Sequence, residues 1–106
     1  MKYGLETEDV ERIIAVIALF PGVERAILYG SRAKGTYREG SDIDICLSGR
    51  DLNLSVVNTI MQSIYDLNLP YFFDFSIYHR ISDPSLLEHI NRAGITLFDA
   101  KLPIHI

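Results

Sequence analysis

Three short segments of this chain hold residues whose types and spacing could do phosphate and metal chemistry. They are Gly30-Ser31, Asp42-Ile43-Asp44 and Asp74. Residues two apart in a strand project from the same face, so Asp42 and Asp44 would present their carboxylates together while Ile43, Ile45 and Leu47 enter the core. Two carboxylates side by side repel, and holding them against an apolar sheet is costly unless a cation lies between them. Mg²⁺, a hard cation that takes oxygen ligands, suits that place. Taken by itself an Asp-x-Asp pattern is more often a strand end with two solvated aspartates.

Gly30-Ser31 closes the apolar run Arg25 to Tyr29. A glycine there lets the backbone approach a ligand closely, and the residues after it can open a helix whose N–H groups face that ligand. Phosphate is the natural occupant. Ser31 adds a hydroxyl donor, and Arg32 and Lys34 lie close enough in sequence to add positive charge. A bare Gly-Ser pair is usually only a turn. Asp74 stands among aromatics in Tyr71 to Ile77, with alternation putting Tyr71, Phe73, Phe75 and Ile77 on one face and Asp74 and Ser76 on the other. An acid in such a strand faces a polar site or a metal, or else lies in water on an edge strand.

These segments need elements to hold them. From Thr7 to Phe20 the apolar positions Val10, Ile13, Ile14, Ile17 and Phe20 recur at helical spacing, with acids crowding the first turn and Pro21-Gly22 ending it. Arg25 to Tyr29 and Ile43 to Leu47 read as strands. Ser55 to Asn68 is a second long helix by its period, and Tyr71 to Tyr78 is aromatic and β-branched enough for a strand. Asp83-Pro84 supplies an N-cap and a first-turn proline for a helix that ends before Gly94, and Ile95 to Phe98 adds a last strand. Strands alternating with helices indicate an α/β fold. The brief connection between the first two strands makes its sheet mixed rather than wholly parallel.

With 106 residues, 48% of them hydrophobic and 23% charged, the chain has the balance of one soluble globular domain. The expected organisation is therefore a single domain over 1–106, without repeat or linker. A formal charge of -4 argues against an extended nucleic acid as partner. Cys46 is the one cysteine, so neither a disulfide framework nor a cysteine-rich zinc site is available, and the reading is a small buried thiol in a reducing compartment, the cytoplasm. The early apolar stretch follows acids rather than a basic start, unlike a secretion signal, and no run nears the roughly 20 residues of a membrane span. His79, His89 and His105 lack metal-ligand spacing and read as ordinary surface or partly buried residues. Tyr37 and Arg38 precede Asp42 in a loop that is solvated or touches a ligand, and the tail Lys101 to Ile106 is expected to pack on its own domain.

Gly30-Ser31, ten intervening residues, Asp42-x-Asp44 and a later strand aspartate together resemble the DNA polymerase β-type nucleotidyltransferase superfamily. Within it, Gly-Ser-Arg-Ala-Lys-Gly followed by Ser-Asp-Ile-Asp is similar to the minimal nucleotidyltransferase (MNT) proteins. The resemblance implies a single-domain nucleotidyltransferase fold, with a mixed sheet packed by helices. It implies that Asp42, Asp44 and Asp74 are catalytic and bind two Mg²⁺ ions, Asp74 acting on the ion that activates the attacking oxygen. Gly30, Ser31, Arg32 and Lys34 would bind the nucleotide. The implied reaction moves a nucleoside monophosphate, AMP from ATP, onto an acceptor hydroxyl. The implied partner is a separately encoded helical HEPN-family protein, the toxin of a toxin–antitoxin pair in which the MNT protein is the antitoxin.

Two other readings stay open. One is a non-catalytic antitoxin that binds nucleotide or partner without turnover, and the other is transfer to a small molecule such as an aminoglycoside. The intact carboxylate set favours catalysis. A template-directed polymerase needs gripping domains that 106 residues cannot supply. Homo-oligomer formation stays open as well.

Overall fold

The computed structural model describes residues 1–102, so the expectations for His105 and for most of the tail lie outside the described residues. Its elements run α1 (Thr7–Ala18), β1 (Arg25–Tyr29), α2 (Ser31–Lys34), β2 (Ile43–Ser48), α3 (Leu54–Tyr65), β3 (Phe73–Ile77), a 3₁₀ turn (Tyr78–Arg80), α4 (Pro84–Ala93) and β4 (Ile95–Asp99). Both long helices are shorter than their apolar period suggests. Ala18 ends α1 because Leu19 and Phe20 turn back onto Val16 and Ile17 ahead of Pro21. Asn53 starts α3 one residue early, its side chain accepting the Val56 N–H at 3.0 Å. Asp83 caps α4 on the Ser85 N–H at 2.9 Å with Pro84 behind it, as the sequence leads one to expect.

The four strands form one sheet in the order β3-β2-β1-β4. β1 pairs antiparallel with β2 and with β4, whereas β2 and β3 are parallel. The mixed sheet follows from connection length. Parallel neighbours need a crossover, which α3 supplies between β2 and β3, while a loop with one short helix suffices between β1 and β2.

Alternation splits the sheet's side chains between two cores. Ala26 and Leu28 of β1, Ile43, Ile45 and Leu47 of β2, and Phe73 and Ile77 of β3 lie in the larger core with Ile13 and Ile17 of α1 and Val57, Ile60 and Ile64 of α3. The opposite parity of the same strands, Ile27, Tyr29 and Cys46, meets Ile90 and Leu86 of α4 in a smaller one. That smaller core is short. It covers only part of its face and leaves the ends of β1, β2 and β3 beyond α4 for polar residues.

Candidate active site

Register alone brings the central residues of the site together. Tyr29 is the Cα partner of Asp44 across the antiparallel pair, and Asp44 is the partner of Asp74 across the parallel pair. In-register neighbours project to the same face. A row Tyr29–Asp44–Asp74 therefore crosses three strands on the α4 side of the sheet, beside the Gly30 turn that ends β1. Asp42, just before β2, is exposed, Asp44 is half-buried and Asp74 is exposed. The carboxylates expected from sequence to act together are thus neighbours, and Ile43, Ile45 and Leu47 between and beyond them are buried in the main core.

The electrostatics follow from that placement. Burial holds the Asp44 carboxyl above the usual carboxylate range; Asp74 and then Asp42 push it further, and Arg32 partly offsets them. Three acids facing one nearby guanidinium form a donor set short of positive charge. Among the described residues no three His, Cys, Asp or Glu side chains converge into a cage able to hold a metal by themselves. Mg²⁺ commonly takes one or two protein carboxylates and completes its shell with water and substrate phosphate oxygens, so an open, acid-rich row still fits that ion's chemistry.

At the turn, Gly30 has φ of 75° and ψ of -153°, and Ser31 begins α2. The glycine is required for two reasons. The positive φ disfavours any side chain, and a Cβ at this position would run into the Asp44 carboxylate. The strand end and the acid are therefore packed against one another with no room for a methyl group. Ser31 is half-buried and Lys34 exposed.

Arg32 differs from the other cations of this loop. It is only 4% exposed and spends its guanidinium on backbone. Nε and Nη2 donate to the Ser41 carbonyl at 3.2 and 2.7 Å, and Nη1 donates to the Tyr3 carbonyl at 2.9 Å. Its charge also lies 5.4 Å from the Tyr37 ring centroid and 5.9 Å from that of Tyr71. The Tyr3 carbonyl is offered by a tight turn, Tyr3-Gly4, in which both residues have positive φ and Lys2 and Leu5 exchange backbone hydrogen bonds. Arg32 thereby ties the start of the chain, the short helix and the residue before Asp42 into one unit. It also leaves a positive charge near Asp44.

Three residues of this face carry no site signal in the sequence. His89 of α4 accepts the Gly30 N–H on Nε2 at 3.0 Å. The Tyr29 hydroxyl and Ser76 Oγ are hydrogen-bonded at 3.3 Å, and burial pushes the tyrosine's pKa up. Strand parity places Tyr29 and Ser76 on the acidic face, which is the one clue available. His89 stands 59 positions from Gly30, and no local pattern could join them. Cys46 is fully buried, as expected, and burial raises its thiol. Around the loop before Asp42, a groove of about 460 Å³ is lined by Tyr37, Arg38, Ser41, Tyr71 and Phe72, with Phe72 72% exposed, and none of the three acids lines it.

Residues 11–102 match the family described as Polymerase beta, Nucleotidyltransferase. The chain belongs to that family. No curated protein matches the sequence. Three solved structures have the same fold as this polymerase β-type chain. A toxin–antitoxin with AMP-PNP is 19% identical with a TM-score of 0.68, over 92% of this chain and 76% of that one. The toxin–antitoxin MntA-HepT is 17% identical with a TM-score of 0.67, over 91% and 74%. A tri-AMPylated Shewanella oneidensis HEPN toxin in complex with MNT antitoxin is 17% identical with a TM-score of 0.66, over 92% and 75%. At such identities the likeness establishes the single mixed sheet with its helices as the nucleotidyltransferase fold, and nothing finer.

Proposed function

We propose that this chain is a minimal, single-domain nucleotidyltransferase that transfers AMP from Mg²⁺-bound ATP to a side-chain hydroxyl, a tyrosine, on a separately encoded helical HEPN-family protein, and so acts as the antitoxin of a cytoplasmic toxin–antitoxin pair. The observation that carries the reading is the in-register pair Asp44–Asp74, with Asp42 beside it, set against a positive-φ Gly30-Ser31 turn. It joins an acid cluster short of cations to a turn shaped for close phosphate approach. The likeness to a toxin–antitoxin with AMP-PNP and to a complex with a tri-AMPylated HEPN toxin supports the choice of nucleotide and acceptor.

In this reading Asp42 and Asp44 hold both Mg²⁺ ions and Asp74 completes the shell on the acceptor side. Such ions, when bound, would supply charge to lower the pKa of the acceptor hydroxyl and to neutralise the departing pyrophosphate. Gly30 and Ser31 bring backbone close to the triphosphate, and Lys34, exposed on α2, adds charge beside it. Arg32 contributes from behind, by fixing the loop that carries Ser41 and Asp42. The acceptor hydroxyl gives its proton to solvent, its oxygen attacks the α-phosphorus in line and forms a bond there, and the bond to the bridging oxygen breaks as pyrophosphate leaves. Because phosphoryl chemistry of this kind is mostly positioning and charge neutralisation, a site with no candidate nucleophile of its own suffices. The exposed Asp42 and Asp74 leave the row open to a partner's side chain.

The test is to incubate the purified chain with the product of the adjacent gene, ATP and Mg²⁺, and to measure the partner's intact mass. An AMP-sized increase on the partner, absent with Asp42→Asn, is the expected result. A partner that binds and is never modified would replace this reading with a non-catalytic antitoxin, and no binding would point to a small-molecule acceptor.

A further inference from the structure

The Gly30 turn is held from two sides. Arg32 grips it from within the loop, through the Ser41 and Tyr3 carbonyls. The second grip comes from α4, an element that carries none of the carboxylates. His89 Nε2 accepts the Gly30 N–H at 3.0 Å, and the imidazole meets the Tyr29 ring edge-on, with centroids 6.2 Å apart and planes at 70°. The helix itself is anchored by Ile90, 2% exposed, and Leu86 on the Ile27, Tyr29 and Cys46 side of the sheet. The acceptor nitrogen is therefore delivered by a packed helix to the last backbone donor of β1 before the chain reverses.

The placement matters because Gly30 is in a backbone conformation that its own sterics do not enforce. Its φ of 75° and ψ of -153° lie where a glycine wanders freely, so local sterics do not choose this state from the others open to it. Gly30 also takes no side-chain cap at the start of α2. A helix of four residues has too few internal bonds to set its own direction. A fixed bond to the Gly30 N–H removes the freedom of the peptide just before the Ser31 N–H and hydroxyl, the two donors expected to meet the triphosphate. With the Gly30 N–H engaged by His89, the phosphate-facing donors begin at Ser31.

We infer that His89 is a positioning residue of the nucleotide site: it clamps the Gly30 peptide from α4 so that the Ser31 donors are held ready for the triphosphate. The inference rests on the nucleotidyltransferase reading above. It assigns a role to a helix outside the motif and makes the packing of α4 a determinant of nucleotide affinity. A displacement of α4 would reach the Gly30 peptide through this bond.

The experiment uses the full chain with His89→Gln, His89→Ala and His89→Leu. The glutamine amide oxygen can reach the place of Nε2 and accept the same N–H, whereas leucine keeps bulk without an acceptor. Two quantities are measured: amide hydrogen exchange at Gly30 in the free protein, and the Kd for ATP with Mg²⁺. Leaving this part-buried donor without its protein acceptor has a cost that corresponds to about a tenfold effect. Alanine and leucine are therefore expected to speed Gly30 exchange and to weaken ATP binding about tenfold, and glutamine to restore both. Unchanged Gly30 exchange in the alanine and leucine variants would overturn the clamp. Equal losses with glutamine and alanine would also overturn it, showing that the ring's packing rather than its acceptor matters. A wild-type chain that binds no ATP would overturn the nucleotide reading and with it the functional role of His89, the exchange data then deciding separately whether the bond exists.

Discussion

Asp44 is the acid under most strain in this molecule, half-buried between two other carboxylates with Arg32 as the compensating charge. Its proton is held to higher pH in the folded chain than in the unfolded one. Between the ordinary carboxylate pKa and that raised value the folded state binds the extra proton, so stability falls as pH rises through this window, and the whole loss is present above it. Asp44→Asn removes the repulsion. The metal-free variant should therefore melt above wild type at pH 7, and the difference should vanish at a pH below the window. The same variant should lose nucleotidyl transfer by on the order of 10²–10³-fold or more, as when one stabilising group is taken from a transition state. More stability with less activity is a combination that a purely structural aspartate would not give. Asp74 is exposed beside it on the edge strand β3. Asp74→Asn should lower kcat strongly and leave the affinity for ATP within a few-fold of wild type, which steady-state kinetics together with calorimetric titration of nucleotide will separate.

At the scale of elements, the site is a junction where three strand ends and one turn are cut to fit. Gly30 shows how tightly. Substituting alanine forces a side chain into a backbone region that only glycine readily adopts, at about 1–3 kcal/mol for the backbone alone, and drives its Cβ into the Asp44 carboxylate. Gly30→Ala should lower the free energy of unfolding by at least that much and displace Asp44, so that stability in chemical denaturation and activity in the transfer assay fall together. The opposite side of the junction is α3, which makes the parallel pairing of β2 with β3 possible and thereby sets Asp74 beside Asp44. Tyr71 and Phe72 were legible as part of a strand, yet β3 begins only at Phe73. The Tyr71 hydroxyl is turned to Asp9 of α1 at 2.8 Å, while Phe72 gives its carbonyl to the Ile43 N–H and leaves its ring outside. Strand propensity marked the apolar run, but side-chain partners on α1 decided where pairing started.

At the scale of the whole molecule, one sheet carries two unequal cores, and the smaller one is open at the end where the acids lie. An open acidic row should be stabilised by what it binds. Mg²⁺ with ATP at a hundred times its Kd should add about 2.7 kcal/mol to unfolding, and the melting temperature should rise accordingly. The rise should require both components together and disappear in Asp44→Asn, which thermal denaturation in Mg²⁺ alone, ATP alone and the mixture will show. The formal charge of -4 matters here as well: it disfavours an extended polyanion as acceptor. Among the described residues no helix is long and apolar enough to cross a membrane.

What the sequence by itself determined is what short-range physics determines. The strand parity of Asp42, Asp44 and Asp74, the need for glycine before Ser31, the caps Asp83 and Pro84, and the helical periods of α1 and α3 are all written in neighbouring residues, because side-chain direction and backbone sterics act over a few positions. Two consequences needed the folded chain. Arg32 looks like a phosphate ligand from its place after Gly30-Ser31, but the tertiary structure buries it on the carbonyls of Tyr3 and Ser41, since a planar guanidinium can satisfy distant backbone acceptors that no local pattern announces. His89 reads in sequence as an ordinary surface or partly buried histidine, and only the packing of α4 carries it to the Gly30 N–H. Both are contacts between residues far apart in sequence, and only the packing of helices on the sheet decides which such pairs meet.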